Sequence, residues 1–156
     1  MLDDSNVLQQ RDPEGALGVA ALQYEQTAYE ARVWNAEHDG RKITKVVVAG
    51  MGGSALAALL VKSWLKEALT VSFEVVRTYD LPAYVDHETL VIASSYSGNT
   101  EETLSALEQA EKKGAQVAVI ASGGKLIDIA TADSIAHVQL PDGLQPRMAV
   151  IYNLKA

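Results

Sequence analysis

Between Val46 and Leu140 the chain alternates short, nearly unbroken runs of Val, Ile and Ala with stretches whose apolar residues recur every three or four positions. The runs are Val46–Ala49, Val71–Arg77, Leu90–Ser94, Val117–Ala121 and Ser134–Leu140, and the helical stretches between them cover 54–67, 99–113 and 124–131. A strand that is apolar on both sides must be covered on both sides. Parallel sheets between two helical layers meet that demand. The alternation therefore predicts an α/β domain, a three-layer α/β/α sandwich around a five-stranded parallel sheet. The link from the second to the third strand, 78–89, contains Pro82 and reads as loop rather than helix. Pro146–Lys155 reads as the start of a further helix.

Upstream, residues 1–12 are polar, and a helical pattern opens at Pro13 and runs to about Ala36. Asp12 suits the N-cap and Pro13 the first turn. Leu17, Ala20, Ala21, Tyr24, Thr27, Ala28, Ala31 and Trp34 keep the three-and-four spacing. A loop around Gly40 follows. The expected organisation is a helical arm over 1–40 and one α/β domain over 41–156, which suits a chain of 156 residues that is 48% hydrophobic and 21% charged.

Charge excludes whole classes of partner. Thirteen Lys and Arg stand against 20 Asp and Glu, a net charge of −7 with no basic run, so neither nucleic acid nor an anionic membrane surface is an expected partner. No apolar stretch reaches the length of a membrane span. The start has no basic and apolar leader pattern, and there is no cysteine, so a cytoplasmic location is expected. Without cysteine, and with His38, His87 and His137 far apart, no metal site and no cofactor are expected.

In an open parallel sheet the ligand sits beyond the carboxyl ends of the strands, where the strand order reverses. For the order 2-1-3-4-5 that point lies between strands one and three. The loops leaving those two strands are the most unusual in the chain. The first is Gly50-Met51-Gly52-Gly53-Ser54, whose glycines let backbone approach a ligand at the amino end of a helix. Ser54 would cap that helix or offer its hydroxyl to an anion. The second is Ser94-Ser95-Tyr96-Ser97-Gly98-Asn99-Thr100-Glu101-Glu102. Asn99 and Glu102 have capping-box spacing, which leaves Ser95, Ser97 and Thr100 unexplained. Hydroxyls interleaved with free amides make a neutral cradle for phosphate. A dinucleotide reading competes, because Gly50-x-Gly52-x-x-Ala55 fits the G-x-G-x-x-G/A fingerprint. That fingerprint wants an acid at the end of strand two, where Arg77-Thr78 stand, and it leaves the serine loop without a task.

The two loops together resemble the sugar isomerase (SIS) domain family. Pro141-Asp142-Gly143-Leu144-Gln145-Pro146-Arg147 is similar to the proline-arginine segment of the bifunctional phosphoglucose/phosphomannose isomerases within it, as are Leu2-Asp3-Asp4 and the arm. The resemblance implies a flavodoxin-like sheet and a hexose 6-phosphate ligand. It places Gly52, Gly53 and Ser54 on the sugar, Ser95, Ser97 and Thr100 on the phosphate, and Pro146 and Arg147 at the rim. Arg147 would be the catalytic residue of this half, its permanent charge polarising the ring or carbonyl oxygen.

The implied reaction interconverts glucose 6-phosphate, and mannose 6-phosphate, with fructose 6-phosphate. Its base, a glutamate helped by a histidine and a lysine, would lie in a second SIS domain C-terminal to this chain, in a homodimeric enzyme. This half would then hold the phosphosugar without the proton-transfer groups. Glu101 and Glu102, on a first helical turn, suit dipole compensation rather than that role. A non-catalytic phosphosugar sensor is the alternative within the same family.

Overall fold

The computed structural model describes residues 4–156, so the Leu2-Asp3 part of the resemblance lies outside it. Six strands form one sheet: β1 (Val33–Trp34), β2 (Lys45–Gly50), β3 (Ser72–Val76), β4 (Thr89–Ser94), β5 (Gln116–Ala121) and β6 (Ala136–Gln139). Their order is β3-β2-β4-β5-β6-β1. The strands β2 to β6 run parallel, in the expected order. The sixth strand is β1, two residues laid antiparallel on the β6 edge with Val33 opposite Val138 and Trp34 opposite His137. Both of its residues are exposed, so it carries no alternation by which the sequence would announce it.

Among the described residues six α-helices accompany the sheet: α1 (Ser5–Arg11), α2 (Ala16–Ala21), α3 (Gly52–Trp64), α4 (Glu101–Lys112), α5 (Gly124–Ala132) and α6 (Val150–Lys155). The pleat sends alternate residues to opposite faces. On one face Val47, Ala49, Val91, Ala93, Val119 and Ala121 pack beneath Ala106, Leu107 and Ala110 of α4 and Leu126 and Ala130 of α5. Val91, Leu107 and Leu126 are fully buried there, each worth roughly 1.5–3 kcal/mol by removal from water. On the other face Val48, Ile92 and Ile120 meet Ala57, Ala58 and Leu154 of α3 and α6 around a cavity of about 160 Å³. The β3–β4 link holds no helix, as expected, and Leu81 and Val85 anchor it to the α4 side.

The arm departs from the expected single helix over 13–36. It holds α1, α2, a 3-10 helix at Gln23–Ala28 and an extended run into β1. Gly15, at φ +67°, breaks the path between α1 and α2. Gly15, not Asp12, is the N-cap residue of α2, while the Asp12 carboxylate reaches over from the end of α1 and accepts from the Ala16 and Leu17 amides at 2.8 Å each. The apolar periodicity misleads because it is not what is buried. Leu17, Leu22 and Tyr24 are exposed, while the polar Gln26 faces inward at 4% exposure. The Gln26 hydrogen bonds and the packing of Tyr29 and Ala31 on the core, rather than the periodic stripe as a whole, fix how this arm lies.

Candidate functional site

The register puts the two loops side by side. Gly50, the last residue of β2, is paired with Ser94, the last of β4, and both chains then turn into helices. A Cβ on Gly50 would lie 2.7 Å from the Ser94 carbonyl oxygen, so only glycine lets the strand ends approach this closely.

Ser54 does not cap α3, which starts at Gly52 with Met51 as its cap residue. Its buried hydroxyl instead accepts from the Tyr96 amide at 3.0 Å, tying the glycine loop to the serine loop. Gly52 is exposed, at φ +50°. Gly53 abuts the third segment: a Cβ there would lie 2.6 Å from the Pro146 carbonyl oxygen and 2.9 Å from the Arg147 Cα. The backbones of Gly53 and Pro146-Arg147 are therefore in direct contact.

In the serine loop, Ser95 and Thr100 share a hydrogen bond of 2.7 Å between hydroxyls, and Ser97 Oγ stands 3.5 Å from Ser95 Oγ. Ser95 is buried and Ser97 exposed. The Asn99–Glu102 capping box does not form. Asn99 turns away from the helix, its Oδ1 accepting from the Lys125 amide at 3.1 Å and its Nδ2 donating to the Ser97 carbonyl at 3.1 Å. Thr100 becomes the N-cap residue of α4 and bonds Ser95 instead of the helix. Thus α3 and α4, of 13 and 12 residues, both begin without a side-chain cap. Their first amides and the positive ends of both dipoles are left for another acceptor. The carboxylates of Glu101 and Glu102 on the first turn of α4 work against an anion there. Glu101 is drawn aside by the Tyr79 hydroxyl, which donates to it at 3.2 Å. The Glu102 charge, helped by that hydrogen bond, raises the Tyr79 pKa.

Arg147 is exposed, and its Nε donates to Gln145 Oε1 at 3.1 Å. It lines a cleft of about 360 Å³ together with Asp12, Pro13, Glu14 and Gln145. The structure thus joins Gly53, Ser54, Ser95, Ser97, Thr100, Pro146 and Arg147 through a chain of direct contacts, with the Arg147 guanidinium turned toward the arm side of the rim. Two of the three histidines stay out of it. His137 is buried, with Nδ1 2.8 Å from the Ile135 carbonyl, and His87 lies in the exposed link before β4.

Sequence reading missed the residues that lock this arrangement. Tyr96 is 4% exposed; its hydroxyl donates to the Pro141 carbonyl at 2.8 Å and accepts from the Leu144 amide at 3.1 Å. It therefore fixes the loop that leads to Arg147, and burial raises its pKa. An aromatic residue set between two serines was the available signal. A fourth loop also docks here: Ser122 donates through both its amide and its hydroxyl to the Tyr96 carbonyl. Thr103, one turn into α4, keeps a buried hydroxyl without a partner. Glu74, the acidic residue of the β3 edge strand, lies inside that strand and accepts a hydrogen bond from Tyr84, so it does not supply the acid that the dinucleotide fingerprint wants at the strand's end.

The SIS domain family model matches residues 41–139. The chain belongs to the SIS domain family. It is 50% identical over 111 residues to a bifunctional phosphoglucose/phosphomannose isomerase of Caldicellulosiruptor bescii, an alignment covering 71% of this chain and 33% of that protein. It is 38% identical over 109 residues to a D-glucosamine-6-phosphate 4-epimerase of Sulfolobus acidocaldarius, covering 69% of this chain and 34% of that one. The SIS chain therefore spans about a third of the length of the curated relatives it matches. Among solved structures, the Vibrio vulnificus NanR protein complexed with ManNAc-6P superposes with a TM-score of 0.58 at 17% identity, over 97% of this chain and 59% of that one, a likeness of fold.

Proposed function

We propose that this SIS domain is the phosphosugar-binding half of an aldose–ketose isomerase that interconverts glucose 6-phosphate, and mannose 6-phosphate, with fructose 6-phosphate. The observation that carries the reading is the junction of the uncapped amino ends of α3 and α4 through the Ser54–Tyr96 hydrogen bond. Two helix ends with free amides, beside three neighbouring hydroxyls, form a seat for a dianion without needing a cation. Ser95, Ser97 and Thr100 take the phosphate. Gly52, Gly53 and Ser54 face the sugar, with Ser54 still holding a free hydroxyl proton to donate. Pro146 and Arg147 stand at the rim, where the guanidinium stabilises negative charge on the sugar oxygen as the enediolate forms.

Isomerisation also needs a base at C1 and C2. Glu101 and Glu102 sit on the helix turn that receives the phosphate, the wrong end of a six-carbon chain. Following the resemblance to the bifunctional isomerases, we place the base outside this chain, in a second SIS domain of a homodimer. Two measurements test the reading. Calorimetric titration with fructose 6-phosphate should show saturable binding that Ser97→Ala weakens by roughly 1.5–3 kcal/mol, the value of one hydrogen bond to a charged group. A coupled assay of the chain alone should show negligible turnover. Unchanged binding in Ser97→Ala would remove the cradle, and robust turnover would overturn the placement of the base.

A further inference from the structure

The N-terminal arm meets the rim at two places, and both converge on Arg147. On the backbone side, the carbonyl of Met148, the residue after Arg147, accepts from two arm amides, Gln26 Nε2 at 2.6 Å and Gln23 Nε2 at 3.2 Å. The Gln26 Oε1 accepts from the Tyr152 amide at 3.3 Å, so one glutamine, 4% exposed, clips the 3-10 turn of Pro146–Met148 to α6. Tyr29 packs edge-on against Tyr152 with ring centroids 5.2 Å apart.

On the side-chain side, Glu14 Oε2 accepts from Gln145 Nε2 at 2.6 Å, and Gln145 Oε1 accepts from Arg147 Nε at 3.1 Å. The order of this relay is dictated by chemistry. An ionised carboxylate only accepts, and a guanidinium only donates. Gln145 must therefore turn its NH2 to Glu14 and its oxygen to Arg147, and neither end tolerates the flipped amide. The Nε of Arg147 is thereby held by a neutral group. Its two Nη groups make no ion pair among the described residues, so the guanidinium keeps free donors in the cleft it shares with Asp12 and Glu14, while its backbone abuts Gly53.

We propose that Glu14, Gln26 and Gln145 are positioning residues: the arm presets the Arg147 guanidinium for the sugar's C1 oxygen. This rests on the phosphosugar reading above and assigns the arm a task in it. Preset orientation matters because a free arginine side chain must surrender its rotamer freedom on binding.

The test uses the whole chain and two probes. Inorganic phosphate reports the cradle alone. 6-Phosphogluconate adds a C1 carboxylate, carrying negative charge where an enediolate would develop it. Arg147→Gln sets the full loss of affinity for 6-phosphogluconate. Glu14→Ala and Gln145→Ala should each give a loss of roughly three- to tenfold, the range of one modest hydrogen bond. Glu14→Gln, which keeps an acceptor for Gln145, should stay within about twofold of the parent. Phosphate affinity should be the same in all four variants, which also reports that they are folded. Unchanged 6-phosphogluconate affinity in Glu14→Ala and Gln145→Ala overturns the positioning role. So does a loss that falls equally on phosphate, because it would mark the arm as merely structural. Failure of the parent chain to bind either probe overturns the phosphosugar reading itself, and this inference with it.

Discussion

At the scale of single residues, Ser54 shows how one hydroxyl couples two loops. As a helix cap it would act within its own element. Instead it satisfies the buried amide of Tyr96, 42 positions away. Tyr96 in turn holds the Pro141 carbonyl, the Leu144 amide and the Ser122 side chain. Ser54→Ala leaves that amide without an acceptor in a dry site, a cost of about 1–3 kcal/mol. The urea midpoint should fall accordingly, with the slope of the transition unchanged. A second readout separates the coupling from a lost helix cap. In native-state hydrogen exchange the Tyr96 amide should lose protection in Ser54→Ala, while the hydrogen-bonded amides in the interior of α3 keep theirs. An unaltered Tyr96 exchange rate would show that the loops are held together by something else.

At the scale of elements, the five parallel strands and the three long helices were legible because their signal is local. Val46–Ala49 foretold β2 within a residue at either end, and 99–113 enclosed α4. The illegible parts depend on partners distant in sequence. The arm is rotated by Gln26, whose bonds reach 122 and 126 positions away, and no helical period encodes that. Of the candidate site, the residue types were legible and their wiring was not. Gly98 shows why: its φ of +69° reads as a turn glycine, but a Cβ there would stand 1.8 Å from the Gly123 carbonyl oxygen. The glycine is needed by another loop's approach.

A similar long-range tie closes the opposite end of the sheet. Arg41 donates to Asp39 and reaches the His87 carbonyl before β4 and the Gly114 carbonyl before β5. Hydrogen bonds from Arg41 lower the Asp39 pKa from 3.8 to about 2. A carboxylate whose pKa falls on folding adds stability above its unfolded pKa and loses it as pH falls through the folded one. Denaturation between pH 4 and 2 should therefore show a decline that Asp39→Asn lessens. Both partners are exposed, so the effect should be small and should shrink in salt. An identical pH profile in the variant would mean that the pair contributes nothing.

At the scale of the molecule, α3 is the anomaly. Its buried residues, Ala55, Ala57 and Ala58, are small, while its outer side carries Leu56, Leu59, Leu60 and Trp64 at 47, 38, 50 and 78% exposure. An exposed stripe of this kind marks a surface that another apolar face can cover. The stripe lies along one helix with Leu60 near its middle, so two copies can pair antiparallel about a two-fold axis, each Leu60 meeting its counterpart. Complete burial of one such side chain is worth roughly 1.5–3 kcal/mol, and the three leucines are already half or more covered while Trp64 is mostly exposed. Set against an association cost of roughly 4–15 kcal/mol, the pair should be weak. Sedimentation velocity should show a monomer–dimer equilibrium at tens to hundreds of micromolar, and Leu60→Glu should shift it to monomer by placing two like charges face to face. A second apolar trough, lined by Val33, Ile92, Ala118 and Val138 on the sheet, is untouched by that change. Association that survives Leu60→Glu would place the interface on the sheet, and a parent chain that stays monomeric throughout would leave the α3 stripe with no affinity for itself.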